Sequence, residues 1–156
     1  MLTSMAVAAE SLCSTDEHVV FSCAVGKGTK TVSLCASRVL TEKNGALYYR
    51  FGSPANFELE YPNKPNGSAQ KFLFAHYSRY QTERTEVAFS IGNFAYAVFD
   101  YYEESEKQKY TRGVRVTSEG TSKETNLMCK APVISKLQQL EGKVPCDSNS
   151  ALAQCN

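Results

Sequence analysis

The chain has 156 residues and carries 17 Lys and Arg against 16 Asp and Glu, a formal net charge of +1. So small a net charge provides little steering toward nucleic acid or an anionic membrane, and we expect neither as a partner. Hydrophobic residues make up 42% of the sequence, which is enough for one folded core and argues against disorder. No apolar run reaches the length of about 18 residues that a membrane-spanning helix needs.

The first residues resemble the end of a secretory signal peptide. Small residues follow Met5, and cleavage after Ala8 or Ala9 would fit this pattern. We therefore expect a leader over residues 1–17 and a single disulfide-stapled β domain over residues 18–156; a plain disordered leader is the alternative. Export predicts a periplasmic or secreted protein, because disulfides persist in oxidising compartments.

Six cysteines occur at wide spacing and without a C-x-x-C pair, which favours disulfides over a zinc or redox site. We expect no metal, no cofactor and no free thiol to act as a nucleophile. Among the fifteen pairings, a Cys23–Cys35 bridge across a hairpin is the first choice, and a local bridge would fix the C-terminal tail. The remaining cysteines are Cys13, Cys129, Cys146 and Cys155.

From residue 18 onward, apolar and polar residues alternate and are interrupted by Gly, Pro and Asn, a pattern typical of strands joined by turns. The predicted strands, in chain order, cover residues 18–25, 29–37, 46–52, 57–61, 71–78, 85–91, 93–102, 109–118 and 121–130. Residues 133–140 follow Pro132 and precede Gly142, with apolar residues on one side, which predicts a short C-terminal helix. The predicted fold is all-β, an antiparallel sandwich or barrel of eight or nine strands with that one helix.

Sequence motifs for catalysis are missing. No G-x-S-x-G elbow occurs, and the G-x-G at Gly26 lacks the third glycine of a phosphate-binding loop. Glu58 and Glu60 lie two residues apart on one strand face, where paired carboxylates would suit a hydrolase, but a polar outer face explains them better. We expect no enzyme.

Residues 76–84 combine large amphipathic side chains in a predicted connection between strands. Tyr and Arg dominate binding hot spots because each offers a broad contact area and directional hydrogen bonds. We therefore predict a partner-binding surface formed by Tyr77, Arg79, Tyr80 and Arg84; an ordinary polar hairpin turn is the alternative.

Three motifs carry a resemblance to a known group: K-x-V-S-x-C over residues 30–35, Y-R-F-G over 49–52 and E-L-x-Y-P over 58–62. In this order they resemble a family of uncharacterised secreted proteins of Gram-negative bacteria, over about residues 21–129. The resemblance implies export and a β-rich fold, and implies no activity.

Small size, export and the lack of catalytic motifs together suggest a binding protein. We expect it to inhibit a cell-envelope-directed enzyme, as periplasmic lysozyme inhibitors and the immunity proteins of antibacterial secretion systems do, so its partner would be an envelope-degrading enzyme or toxin. The alternative is a small-ligand or lipid carrier whose eight Phe residues line an apolar β-barrel cavity.

Overall fold

A computed structural model describes residues 10–27, 30–64 and 66–155. The expected cleavage site after Ala8 or Ala9, Gly28 of the predicted turn and Thr29 of the predicted second strand lie outside these ranges. The described chain forms nine strands, close to the predicted ones: β1 (Glu17–Val25), β2 (Lys30–Ser37), β3 (Leu47–Ser53), β4 (Asn56–Tyr61), β5 (Leu73–Arg79), β6 (Thr82–Ile91), β7 (Phe94–Glu103), β8 (Tyr110–Ser118) and β9 (Glu124–Ser135).

All nine strands belong to one antiparallel sheet with the spatial order β4-β3-β2-β1-β9-β8-β7-β6-β5. The order describes two four-stranded meanders, β1–β4 and β5–β8, joined by β9. The sheet curls into a half-barrel, so its two ends approach each other. The ring centroid of Tyr61 on β4 lies 4.9 Å from that of Phe89 on β6, which closes the gap with aromatic packing instead of backbone hydrogen bonds.

Strand β9, which joins the two meanders, pairs with β8 through residues 124–128 and with β1 through residues 129–135. A register irregularity interrupts its pairing with β1, and Pro132 lies there, where its missing N–H costs no ladder hydrogen bond. The predicted helix over residues 133–140 is wrong. Pairing with β1 keeps the chain extended to Ser135, and only a 3-10 turn, Leu137–Leu140, follows.

The concave face of the sheet holds the hydrophobic core. One residue in two along each strand faces inward, and the aromatic rings of Tyr49, Phe72, Phe89 and Tyr96 pack there with centroids about 5 to 6 Å apart. Leu137 and Leu140 of the 3-10 turn are buried against this cluster. No helix within the described ranges is long and apolar enough to cross a membrane.

The C-terminal tail covers the edge strand β5. The Phe74 N–H donates to the Pro145 carbonyl over 2.8 Å, and the Asp147 N–H donates to the Phe74 carbonyl over the same distance. Because an unpaired edge exposes a row of backbone groups, this short pairing protects part of the sheet from association with another chain.

Disulfides are present, but the expected Cys23–Cys35 bridge is wrong. In the β1–β2 register Cys23 lies opposite Val32, three residues from Cys35. Three residues along a strand span about 10 Å and reverse the side-chain direction, whereas a disulfide requires Cα atoms within about 7 Å. The expected local bridge in the tail is confirmed, and the bridges are Cys13–Cys35, Cys23–Cys129 and Cys146–Cys155.

Residues 10–16, which belong to the predicted leader, lie across the convex face of β1–β3 and are called the N-terminal cover below. Cys13 ties the cover to Cys35, and the Leu12 N–H donates to Ser33 Oγ over 3.0 Å. Beneath the cover, Arg50 is 8% exposed and pairs with Glu17 and Glu60, each at 2.6 Å. Arg50 and Glu17 thus form a buried ion pair beneath the cover, and Glu60, whose side chain is 41% exposed, lies at its border.

Candidate functional site

The connection predicted over residues 76–84 is wrong in its extent, because β5 and β6 pair up to Arg79 and Thr82. The β5–β6 hairpin ends in a two-residue turn, Tyr80–Gln81, and the flanking predicted residues lie in its strands. Arg79 and Thr82 are the last paired residues before the turn. Gln81, the second residue of the turn, has a φ of 60°, in the left-handed region. The backbone N–H of Glu104 donates to the Gln81 carbonyl over 3.0 Å, so the turn is also tied to the β7–β8 connection.

The structure brings the four predicted partner-binding residues together at this end of the hairpin. Tyr80 projects from the turn with 87% of its surface exposed, and the neighbouring Arg79 is exposed as well. Tyr77 lies opposite Arg84 in the register, both half-buried on the convex face behind the tip. The surface therefore has a protruding part, Arg79 and Tyr80, and a supporting part, Tyr77 and Arg84.

Arg84 is held by the neighbouring strand. Its Nε donates to Glu103 Oε1 over 2.7 Å, its Nη2 contacts the same oxygen, and its Cζ lies 5.5 Å from the ring centroid of Tyr101. The hydrogen bond from Arg84 lowers the pKa of Glu103 and, reciprocally, raises that of Arg84. An arginine already paired with a carboxylate serves to orient its surroundings more than to capture a new anion.

Arg79 carries the uncommitted positive charge of this surface. Within the described ranges it makes no ion pair, although its charge adds to that of Arg84 in lowering the pKa of Glu103, and its Cζ lies 6.0 Å from the ring centroid of Tyr77. A guanidinium beside a tyrosine ring combines a cation, five possible donors and a flat apolar area.

A second polar cluster supports the hairpin on the convex face. Arg115 Nη2 donates to Glu86 Oε1 over 2.9 Å, and the Tyr101 hydroxyl donates to the same carboxylate. Burial, together with the hydrogen bond to Glu86, raises the pKa of Tyr101 to about 12, so this hydroxyl stays protonated and keeps donating. The cluster links β6, β7 and β8 into a stiff platform.

The supporting residues were not predicted from the sequence; they are Glu86, Tyr101, Glu103 and Arg115. The sequence signal for them is the alternation of side-chain direction along a strand. Arg84 and Glu86 lie two residues apart on β6, and Tyr101 and Glu103 lie two residues apart on β7, so each pair shares one face of the sheet. What the sequence lacks is the register between strands, which alone places Arg84 opposite Tyr101.

The two glutamates considered for hydrolysis are engaged elsewhere. Glu60 accepts from Arg50 in the cluster beneath the N-terminal cover, and Glu58 lies 2.7 Å from Lys30. Both carboxylates thus already have cationic partners.

Comparisons with known proteins do not assign the chain to a family. The chain matches no protein-family model, and no characterised protein or solved structure shows significant similarity to it. The resemblance to secreted proteins of Gram-negative bacteria is untested by these comparisons. The functional argument therefore rests on the residues of the hairpin tip.

Proposed function

We propose that this protein is a periplasmic or secreted inhibitor that binds a glycan-cleaving, cell-envelope-directed enzyme through the tip of the β5–β6 hairpin. The observation that carries the proposal is the rigid presentation of Tyr80, 87% exposed, next to the uncommitted cation Arg79. A single exposed aromatic residue is ordinary on protein surfaces. A protruding Tyr–Arg pair on a fixed turn has the composition of a binding hot spot.

The chemistry of the tip fits an acidic cleft. Glycan-cleaving enzymes use a pair of carboxyl groups beside a groove that accommodates sugar rings. Arg79 would pair with a carboxylate there, and Tyr80 would occupy a sugar-binding position with its flat ring. A two-residue turn is narrow enough to enter such a groove, and its fixed backbone loses little entropy on docking.

Compartment and stability support the same proposal. Three disulfides within one domain of this size are typical of an oxidising environment outside the cytoplasm. Envelope-degrading enzymes and toxins act in that environment.

The test measures inhibition of cell-wall lysis by a panel of purified lysozymes from different structural classes. The intact protein should inhibit at least one of them at a stoichiometry of one to one. The double variant Arg79→Ala/Tyr80→Ala should weaken inhibition at least about a hundredfold, equivalent to about 2.7 kcal/mol.

Phe94→Ala is the matched control, because Phe94 is another exposed aromatic residue, 48% exposed, beside the β6–β7 turn at the opposite end of the sheet. Its variant should inhibit as the unchanged protein does. Equal loss in both variants, or inhibition of none of the enzymes, would contradict the proposal.

The carrier alternative gains no support from the interior. The space that a lipid or apolar ligand would occupy is filled by the packed rings of Tyr49, Phe72, Phe89 and Tyr96. We therefore favour a function at the surface; the carrier hypothesis itself stays untested.

A further inference from the structure

A second feature lies at the same end of the sheet as the hairpin tip, but on its concave face. There the inward-facing residues of β6–β8 become polar, and residues 135–139 pass over them. The resulting cleft has a volume of about 410 Å³. This lies within the range of about 300 to 1,000 Å³ typical of small-molecule sites and could hold one or two sugar-sized rings. Its lining includes Glu83, Asp100, Tyr102, Tyr110 and Gln138.

Two carboxylates in the cleft are fixed in place by neighbouring side chains. Glu83 lies 2.6 Å from His76 Nε2 and accepts from Ser78 Oγ over 2.7 Å. Asp100 accepts from Arg112 Nε over 2.9 Å and also from Ser135 Oγ. Because an ionised carboxylate can accept about four hydrogen bonds, each retains acceptor capacity toward the cleft. These are preorganised acceptors for ligand hydroxyl or N–H groups.

The charges around the cleft are nearly balanced. Lys136 lines it and Arg112 backs it, against the carboxylates of Glu83 and Asp100. A site selective for an ion would present a surplus of the opposite charge, as phosphate sites and cation sites do. Balanced, immobilised charges instead favour a neutral ligand rich in hydrogen-bonding groups.

Aromatic rings and an amide complete the lining. The centroids of Tyr102 and Tyr110 lie 5.0 Å apart, and Tyr110 is 49% exposed. Arg112 Cζ lies 4.1 Å from the Tyr110 ring centroid and covers one face of that ring, so a sugar would stack on the other face. The face of an aromatic ring is slightly negative and attracts the weakly positive C–H groups of a sugar ring. Gln138, on the 3-10 turn, is exposed; its Nε2 donates to Glu83 Oε2 over 3.4 Å, and its Oε1 is a further acceptor.

We propose that this cleft binds a neutral oligosaccharide, with Tyr110 as the stacking platform and Asp100, Glu83 and Gln138 as hydrogen-bonding partners of its hydroxyl groups. A neutral oligosaccharide uses the fixed acceptors, the amide and the aromatic face together without requiring a net charge. The site is new relative to the proposed enzyme-binding surface, and it would give the protein an affinity of its own for glycan.

The cleft and the hairpin tip are separable because alternate residues of the same strands face opposite sides. Glu83 and Asp100 face the concave side, whereas their chain neighbours Arg84 and Tyr101 face the convex side. A substitution on one face therefore leaves the other face intact, and either proposal can fail without the other.

The test is a titration of the isotope-labelled protein with chitotetraose, cellotetraose or maltotetraose, in which the NMR chemical shifts of the backbone amides report binding. At least one of these should produce saturable shifts confined to the residues around the cleft, with a dissociation constant on the order of 1 mM or tighter. Absence of saturable shifts with all three, or saturable shifts located elsewhere, would overturn the proposal.

Variants then assign the contacts. Tyr110→Ala should weaken binding at least about tenfold, and Gln138→Ala should weaken it at least about threefold. Because Gln138 is exposed, its replacement leaves the fold intact even if Tyr110→Ala does not fold. Tyr80→Ala is the control and should bind as the unchanged protein does. Two results would overturn the assignment of the ligand class. One is an unchanged affinity in Gln138→Ala. The other is a charged monosaccharide, such as glucosamine or glucuronate, that binds at least about tenfold more tightly than neutral glucose.

Discussion

The two meanders carry similar polar clusters on their convex faces but differ in what lies over them. On β1–β3 the cluster around Arg50 is enclosed by the N-terminal cover, and the Arg50 and Glu17 side chains are each only 10% exposed. On β6–β8 the pair Arg84–Glu103 faces open space, with side chains 39% and 20% exposed. The same residue types therefore have different environments within one sheet.

This difference separates structural from functional polar residues. A buried ion pair resists water and salt, and it is costly to break because the remaining charge is left unpaired. An exposed pair contributes little to stability but can position its neighbours for contact with another molecule. We therefore place the stabilising cluster on the first meander and the candidate binding surface on the second.

The largest expected effect comes from replacing Arg50 with Met, which keeps most of the apolar stem but removes the charge. Glu17 would stay beneath the cover without its partner, and we expect a loss of about 3 to 5 kcal/mol in the free energy of unfolding. Urea denaturation measures this loss. Arg84→Met on the open face is the control and should change stability much less; comparable losses in both variants would remove the distinction between the two faces.

The next effect concerns the disulfide that holds the cover. Cys13 and Cys35 are 22 residues apart, and replacing both with Ala should lower the free energy of unfolding by about 3 kcal/mol. It should also increase hydrogen exchange at the Leu12 amide, which donates to Ser33. The Cys146→Ala/Cys155→Ala variant should leave that amide protected. Unchanged exchange at Leu12 in the first variant would show that the cover stays in place without its bridge.

The two clusters should lose stability as the pH falls, and salt should change this pH dependence differently in each. Burial alone would raise the pKa of Glu17, but the hydrogen bonds from Arg50 and Ser14 and the charge of Arg50 outweigh it, so this pKa lies below 4.5. Because a depressed carboxyl pKa stabilises the folded state, this contribution is complete above about pH 4.5 and is lost as the pH falls through the lower, folded-state pKa. Glu103 behaves in the same direction because of Arg84.

At about 1 M salt, where screening acts within about 3 Å, the contribution of the partly exposed Glu103 should fall much more than that of the more deeply buried Glu17. The measurement is the urea midpoint between pH 7 and 3 for Glu17→Gln and Glu103→Gln, at low and high salt. An equal salt response in the two variants would mean that the cover does not exclude water from its cluster.

The smallest effect is expected for Tyr80→Ala at the hairpin tip. Since the side chain is mostly exposed, its removal should change the free energy of unfolding by no more than about 0.5 kcal/mol. Thermal unfolding measures it. A loss of several kcal/mol would make Tyr80 a structural residue and weaken the assignment of the open face to binding.

Strand positions could be predicted because alternation is a local property. Eight predicted strands agree with the structure to within about three residues at each end, and β9 is extended by pairing with β1. Residues 133–135 show why that extension was missed: Val133, Leu137 and Leu140 have helical spacing, yet the first lies in a strand and the other two in a 3-10 turn.

Properties that depend on register could not be predicted. The bridge partner of Cys35 is Cys13 because the N-terminal cover folds back over the convex face, which no local pattern indicates. The carboxylates of the cleft are similarly remote, since Glu83 and Asp100 come together only through the pairing of β6 with β7. The hairpin tip was accessible to prediction because its residues are adjacent in the sequence.

The position of β9 has a consequence for how the protein is made. The chain leaves the ribosome from its N-terminus, so both meanders, whose strands each pair with a neighbour in sequence, are complete before β9 emerges. Cys13 and Cys35 are then available to each other early, whereas Cys23 must wait for Cys129, 106 residues later. Until β9 is in place, β1 and β8 each present an unpaired edge at the centre of the future sheet. These edges must be protected from pairing with other chains if the nascent protein is not to aggregate.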